Sequence, residues 1–297
     1  MKTRFAALAC LLVFATGFLR ADDARPVVDA SKLKVEKINN PSLPTLHIVG
    51  DSTVRIGGAV KGLVGWGERI QPFFDPDKIN VVNEAIGGRS ARTYYTEGRW
   101  QRVEDELKPG DFVVIQFGHN DGGRIGDPRN KHRADGPGIG DETVPDKMPD
   151  GSIEQVHTFG WYMAHFVTTA KAKGATVILC APIPHKQRWQ KGRDFANVAG
   201  WDKEVAGAHG ALFLDLTLVI TDAYQKIGMD KVETLFGDKG THTDDAGARF
   251  NARCVIAGLK SLPGNPLEKY LSAQGRAVEP YQPETSTHST QPAPARS

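Results

Sequence analysis

Leu46-His47-Ile48-Val49, followed at once by Gly50-Asp51-Ser52-Thr53, is the stretch that decides the fold. A short β-rich run stops at residues that favour turns, so a hydroxyl stands where a strand ends. In an open parallel sheet the carboxyl ends of the strands border the ligand crevice, and a serine mounted there is placed to act as a nucleophile. Taken alone, the loop reads as readily as an ordinary turn.

The rest of the chain supplies the context. Five β-rich runs recur, at 45–49, 79–83, 112–117, 176–180 and 211–215, and helical patterns cover 66–73, 99–107, 156–173, 198–209, 216–227 and 246–262. Near-continuous apolar strands alternating with helices predict a parallel sheet covered on both faces, hence an α/β fold, a three-layer α/β/α sandwich. One sheet means one domain, 45–262, preceded by a lead-in at 22–44. A flavodoxin-like strand order, 2-1-3-4-5, puts the loops after strands one and three on either side of the crevice. Residues 121–154, rich in Gly, Asp, Pro and Arg, read as a long loop beside it. From 263 to 297 the pattern fades into Pro, Gln, Ser and Thr, and a disordered tail is expected.

The 297 residues are 40% hydrophobic and 24% charged, enough for one sizeable core. Residues 1–21 hold Lys2 and Arg4, an apolar stretch and then Ala21, the pattern of a signal peptide, so export to the periplasm or beyond is expected. The stretch falls short of the roughly 20 residues that span a bilayer. Its removal takes Lys2, Arg4 and Arg20 and no acid, so the formal charge moves from +2 to −1. That leaves no electrostatic case for nucleic acid or an anionic membrane as partner. Cys180 and Cys254 sit in apolar runs and read as buried free thiols, with pairing after export as the alternative. No spacing suggests a metal, and no cofactor is expected.

Three strand ends carry residues of use in acyl transfer. The first delivers Ser52. The second runs into Asn83-Glu84-Ala85-Ile86-Gly87-Gly88-Arg89-Ser90, where paired glycines let the backbone turn tightly and present an N–H. The third runs into Gly118-His119-Asn120-Asp121, whose Asn120 offers a side-chain N–H₂. The amides of Ser52 and Gly88 with the Asn120 side chain make a candidate oxyanion hole. For a base, His242 in Asp238-Lys239-Gly240-Thr241-His242-Thr243 stands just before the last helix, with Asp238 near enough to orient its ring. That motif alone also reads as a helix start with an exposed histidine.

Together these motifs resemble those of the SGNH hydrolases, also called GDSL-like lipases and esterases. Ser52 in Gly-Asp-Ser matches that family's first block, Gly88 its second, Asn120 in Gly-His-Asn-Asp its third and His242 its fifth. Gly50-Asp51-Ser52-Thr53, Asn-x-Ala-Ile-Gly-Gly-Arg-Ser-x-Arg-Thr and Gly-His-Asn-Asp-Gly-Gly, with Gly65-Trp66-Gly67 and Pro182-Ile183-Pro184, look like the rhamnogalacturonan acetylesterases. The resemblance spans 45–262. It implies the SGNH hydrolase fold, catalysis by Ser52, His242 and Asp238, and an acetylated polysaccharide substrate, pectic rhamnogalacturonan foremost. Acetylxylan, or carbohydrate acetates broadly, is the alternative within the enzyme class; a catalytically silent carbohydrate-binding protein is the alternative outside it. One departure stands out. The family spaces acid and base as Asp-x-x-His, whereas three residues separate Asp238 from His242, and Gly240 is expected to absorb the extra one.

Asp51 reads as bracing the turn around Ser52. His119 and Arg89 are candidate substrate contacts. Arg89, with Arg92 and Arg99, suits the carboxylate of a uronic acid, or else braces loops.

Overall fold

The computed structural model describes residues 38–58, 60–188, 190 and 193–283. The expected signal peptide, most of the lead-in and residues 284–297 lie outside them. Five parallel strands form the sheet: β1 (Thr45–Gly50), β2 (Asn80–Asn83), β3 (Phe112–Gln116), β6 (Thr176–Cys180) and β7 (Leu212–Leu214). Their order is β2-β1-β3-β6-β7. This is the flavodoxin-like order, with two further strands, β4 (Thr143–Lys147) and β5 (Ile153–His157), set apart as an antiparallel hairpin.

Period-two alternation splits the sheet between two cores. Leu46, Ile48, Val114, Ile178 and Cys180 face α5 (Leu216–Ile227) and α7 (Asp245–Lys260). Val49, Val113, Ile115, Val177 and Leu179 face the opposite layer: α1 (Ala91–Thr96), α2 (Arg99–Glu106), α3 (Phe159–Ala172) and α4 (Ala196–His209). Each of these strand side chains is 2% exposed or less, and burying a Val, Leu or Ile contributes about 1.5–3 kcal/mol. Side-chain caps fix the helix starts: Ser90 for α1, Thr158 for α3, Asp215 for α5 and Asp244 for α7.

Several boundaries differ from the sequence reading, each for a physical reason. Residues 66–73 form two 3₁₀ turns, Trp66–Arg69 and Gln71–Phe73, because Pro72 has no N–H to continue an α-helix. The helix expected from 156 starts at Phe159, since residues 153–157 pair with β4. The 121–154 loop therefore carries a hairpin. Residues 263–283 are not a disordered tail: α8 (Ala273–Arg276) and the buried side chains of Leu267, Leu271 and Val278 pack on the α7 side, so the folded unit extends beyond 262. The short α6 (Met229–Glu233) follows α5. Among the described residues, no helix is long and apolar enough to cross a membrane. Cys180 and Cys254 are both free and buried, and burial pushes the Cys254 thiol up to about 12.

Candidate active site

β1 must end close against β3. A Cβ at Gly50 would come within 2.6 Å of the Gln116 carbonyl and the Val54 side chain, so glycine alone fits. The next residue, Asp51, is fully buried. Its Oδ1 accepts from the Thr53 N–H at 2.8 Å and the Thr53 hydroxyl at 2.7 Å, while its carbonyl accepts from the N–H groups of Val54 and Arg55. This winds a tight turn carrying Ser52, which is 9% exposed. Beneath it, Gln116 donates to the Thr53 hydroxyl at 2.8 Å and accepts from the Trp66 indole at 2.9 Å. Burial favours the neutral form of Asp51, but the His119 ring and the Thr53 donors outweigh it and hold the carboxyl below its ordinary value.

His242 reaches Ser52 from the far end of the chain. The loop before α7 is stitched by the Gly237 N–H to the His242 carbonyl, and Thr243 is tied to Val64 by bonds in both directions. The Ser52 Oγ lies 2.8 Å from His242 Nε2, and His242 Nδ1 lies 2.6 Å from Asp238 Oδ2. The other carboxylate oxygen, Oδ1, accepts from the N–H groups of Gly240, Thr241 and His242 at 2.9, 2.8 and 3.0 Å. Burial raises the acid, yet these three N–H groups and the histidine prevail, holding it well below the usual carboxylate range. The extra residue between acid and base is therefore absorbed by a turn wound around Asp238. Gly240 takes no left-handed conformation there.

The loop after β2 lies against the serine. Its Ile86 N–H donates to the Gly50 carbonyl at 3.0 Å, and a Cβ at Gly87 would sit 3.5 Å from the Ser52 Cβ. Gly88 has a φ of +77°, which turns the chain back towards α1. Neither the Ser52 N–H nor the Gly88 N–H is taken up in the described hydrogen bonds. Asn120 joins from the loop after β3, its Nδ2 donating to the Arg89 carbonyl at 3.0 Å. A hydroxyl backed by an oriented imidazole, with unused N–H groups on adjoining loops, is equipped for acyl transfer.

The profile of the GDSL-like lipase/acylhydrolase family matches residues 48–250, a span holding every residue of this arrangement. The chain belongs to that family. This GDSL-like hydrolase is 34% identical over 216 residues to a rhamnogalacturonan acetylesterase of Emericella nidulans, covering 71% of the chain and 83% of the relative. It is 30% identical to YesY of Bacillus subtilis, named a probable rhamnogalacturonan acetylesterase, over 75% of the chain and 94% of the relative. Among solved structures it resembles YxiM of Bacillus subtilis, with a TM-score of 0.58 and 25% identity over 74% of the chain and 56% of that protein. The family and these relatives make it a carboxylic ester hydrolase.

Other residues of the hydrolase fall as follows. His119 is wedged between the Asp51 carboxylate (3.2 Å) and the Ile183 carbonyl (3.1 Å), so both ring nitrogens are engaged within the protein. Arg89 bonds Glu97 and the Gly87 carbonyl, and Arg99 bonds the same Glu97. Arg92 is fully buried and clamps the hairpin through Asp146 and Glu154. All three arginines thus have intramolecular partners, the loop-bracing alternative. A cleft of about 1010 Å³ opens beside His119, walled by Phe159 and Trp201 and by the cationic Arg188 and Arg193. Sequence reasoning missed Asp135, which lines this cleft next to Asp121. Burial pushes Asp121 up to about 7 and Asp135 well above its ordinary value. His47, Glu84 and Glu106 bring potential metal-ligand atoms within 4.8 Å, but Arg102 pairs with both glutamates there, which makes the group an ion-pair network.

Proposed function

We propose that this hydrolase is an exported serine acetylesterase that removes acetyl groups from a plant cell-wall polysaccharide, rhamnogalacturonan foremost. The observation that carries the reading is the hydrogen-bonded run from Ser52 Oγ through His242 to Asp238. Asp238, ionised, accepts the Nδ1 proton of His242 and so leaves Nε2 unprotonated towards the serine. Nε2 takes the Ser52 proton as Oγ bonds to the acetyl carbonyl carbon. The oxyanion that forms accepts from the N–H groups of Ser52 and Gly88 and from Asn120, a donor set in which one member is typically worth about 10²–10³ in rate. As the carbon–oxygen bond to the sugar breaks, His242 returns its proton to the departing hydroxyl. Water then attacks the acetyl-serine, giving its proton to His242, and acetate leaves as Ser52 is reprotonated.

The polysaccharide rests on the two rhamnogalacturonan acetylesterase relatives and on the cleft, whose rings and mixed lining of arginines and carboxylates suit a long polar chain. Ester hydrolysis should be fastest on acetylated rhamnogalacturonan, read as released acetate against acetylated homogalacturonan and acetylated xylan and as released fatty acid from a lysophospholipid. A preference for xylan would move the substrate to the alternative, and one for lipid would refute a polysaccharide. Ser52→Ala and His242→Ala should each remove nearly all hydrolysis of a chromogenic acetate without changing the melting temperature.

A further inference from the structure

Arg133 lies in the long segment after β3, yet its guanidinium converges on the residues read as oxyanion donors. Nη1 donates to Asn120 Oδ1 at 2.8 Å and, more weakly, to the Gly88 carbonyl at 3.4 Å, while Nε donates to the Asn130 carbonyl at 3.0 Å. An amide has one acceptor oxygen and two N–H groups. With Oδ1 held by a cation and one N–H held by the Arg89 carbonyl, Asn120 cannot flip without turning its N–H₂ onto the guanidinium. Its second N–H is therefore fixed. Hydrogen bonds from charged donors are stronger than neutral ones, and polarising the amide at oxygen makes its N–H a better donor.

The backbone is shaped to deliver this side chain. Lys131 and His132, just before it, both adopt left-handed φ angles (+51° and +54°), a conformation disfavoured by residues with a Cβ. His132 Nδ1 lies 3.0 Å from Asp146 Oδ2, which also accepts from buried Arg92, and Arg92 holds the Ala134 carbonyl at 2.8 Å. The residues on both sides of Arg133 are thus pinned to one anchor, with the guanidinium left to reach Asn120.

We propose that Arg133 is a positioning residue for ester hydrolysis, acting through Asn120 to orient and polarise the oxyanion hole. The proposal rests on the serine-esterase reading. Its test is a double-mutant cycle on 4-nitrophenyl acetate, a neutral substrate that offers no carboxylate for an arginine to bind. Arg133→Ala should lower kcat about 10–100-fold, less than the roughly 10²–10³ for removing an oxyanion donor outright because Asn120 itself remains, with little change in KM, and Arg133→Lys should recover part of the loss. In an Asn120→Ala background the same substitution should cost less than about threefold. An equal loss in both backgrounds would overturn the proposal. So would an unchanged kcat in Arg133→Ala while Asn120→Ala is impaired. No effect of Asn120→Ala itself would instead overturn the oxyanion reading beneath it. Should Arg133→Ala fail to fold, Arg133→Lys run through the same cycle distinguishes the same outcomes.

Discussion

Asp238→Asn separates two jobs that one carboxylate performs. Oδ1 holds three backbone N–H groups, and Oδ2 takes the His242 Nδ1 proton at 2.6 Å. In the asparagine variant only the amide oxygen can face three donors, so the amide nitrogen must face His242. Its N–H then asks Nδ1 to accept, which moves the ring proton to Nε2, opposite Ser52, and the base is lost. Forcing the wrong tautomer costs about 10⁴ in kcat, or about 5.4 kcal/mol of barrier. Asp238→Ala removes the wrong donor as well as the right acceptor. Both partners are partly exposed, at 32% and 24%, so water can bond Nδ1, and a loss about tenfold smaller is expected. Stability should order the other way: alanine strips the acceptor from three N–H groups and costs about 2 kcal/mol, whereas asparagine keeps it. Initial rates on 4-nitrophenyl acetate with urea unfolding of both variants decide this. An asparagine enzyme more active than the alanine one would refute the argument that Asp238 sets the tautomer.

Other consequences can be measured directly. Arg92→Met removes a fully buried cation and leaves Asp146 buried with only His132, which should cost about 3–5 kcal/mol in urea unfolding and expose the hairpin to protease; a cost under about 1 kcal/mol would show that the clamp is idle. Asp121, pushed up to about 7, and Asp135, also raised, make the native state bind more protons than the unfolded chain from about pH 4 upward, so these groups lower stability as pH rises. Asp135→Asn keeps the shape and removes one acid. The variant should gain melting temperature over the parent from pH 5 to pH 8, and a constant difference would contradict the pairing.

The sheet was legible because buried parallel strands are almost wholly apolar, so runs such as Leu46 to Val49 and Val113 to Ile115 announce themselves. Its order followed from the fold class. Ser52, Gly88, Asn120, Asp238 and His242 stood out because each sits in a short motif that is local in sequence, after a strand or just before α7. What local pattern could not show were the partnerships. The hairpin was lost because β4 and β5 bear polar residues and leave Val144 and Ile153 exposed, hiding any alternation. Leu267, Leu271 and Val278 are isolated apolar residues whose burial depends on α7 and the 3₁₀ turns, not on a pattern of their own. Arg92 could be read only as a carboxylate contact or a loop brace, and Arg133 carried no signal at all, because the groups that accept from them lie in other segments of the chain.

Covalent labelling tests the central claim most directly. After incubation with diethyl 4-nitrophenyl phosphate, peptide mass mapping should place one diethylphosphoryl group per chain on Ser52, with activity falling in parallel and Ser52→Ala left unlabelled. A label on any other residue, or activity that survives full labelling of Ser52, would contradict the account.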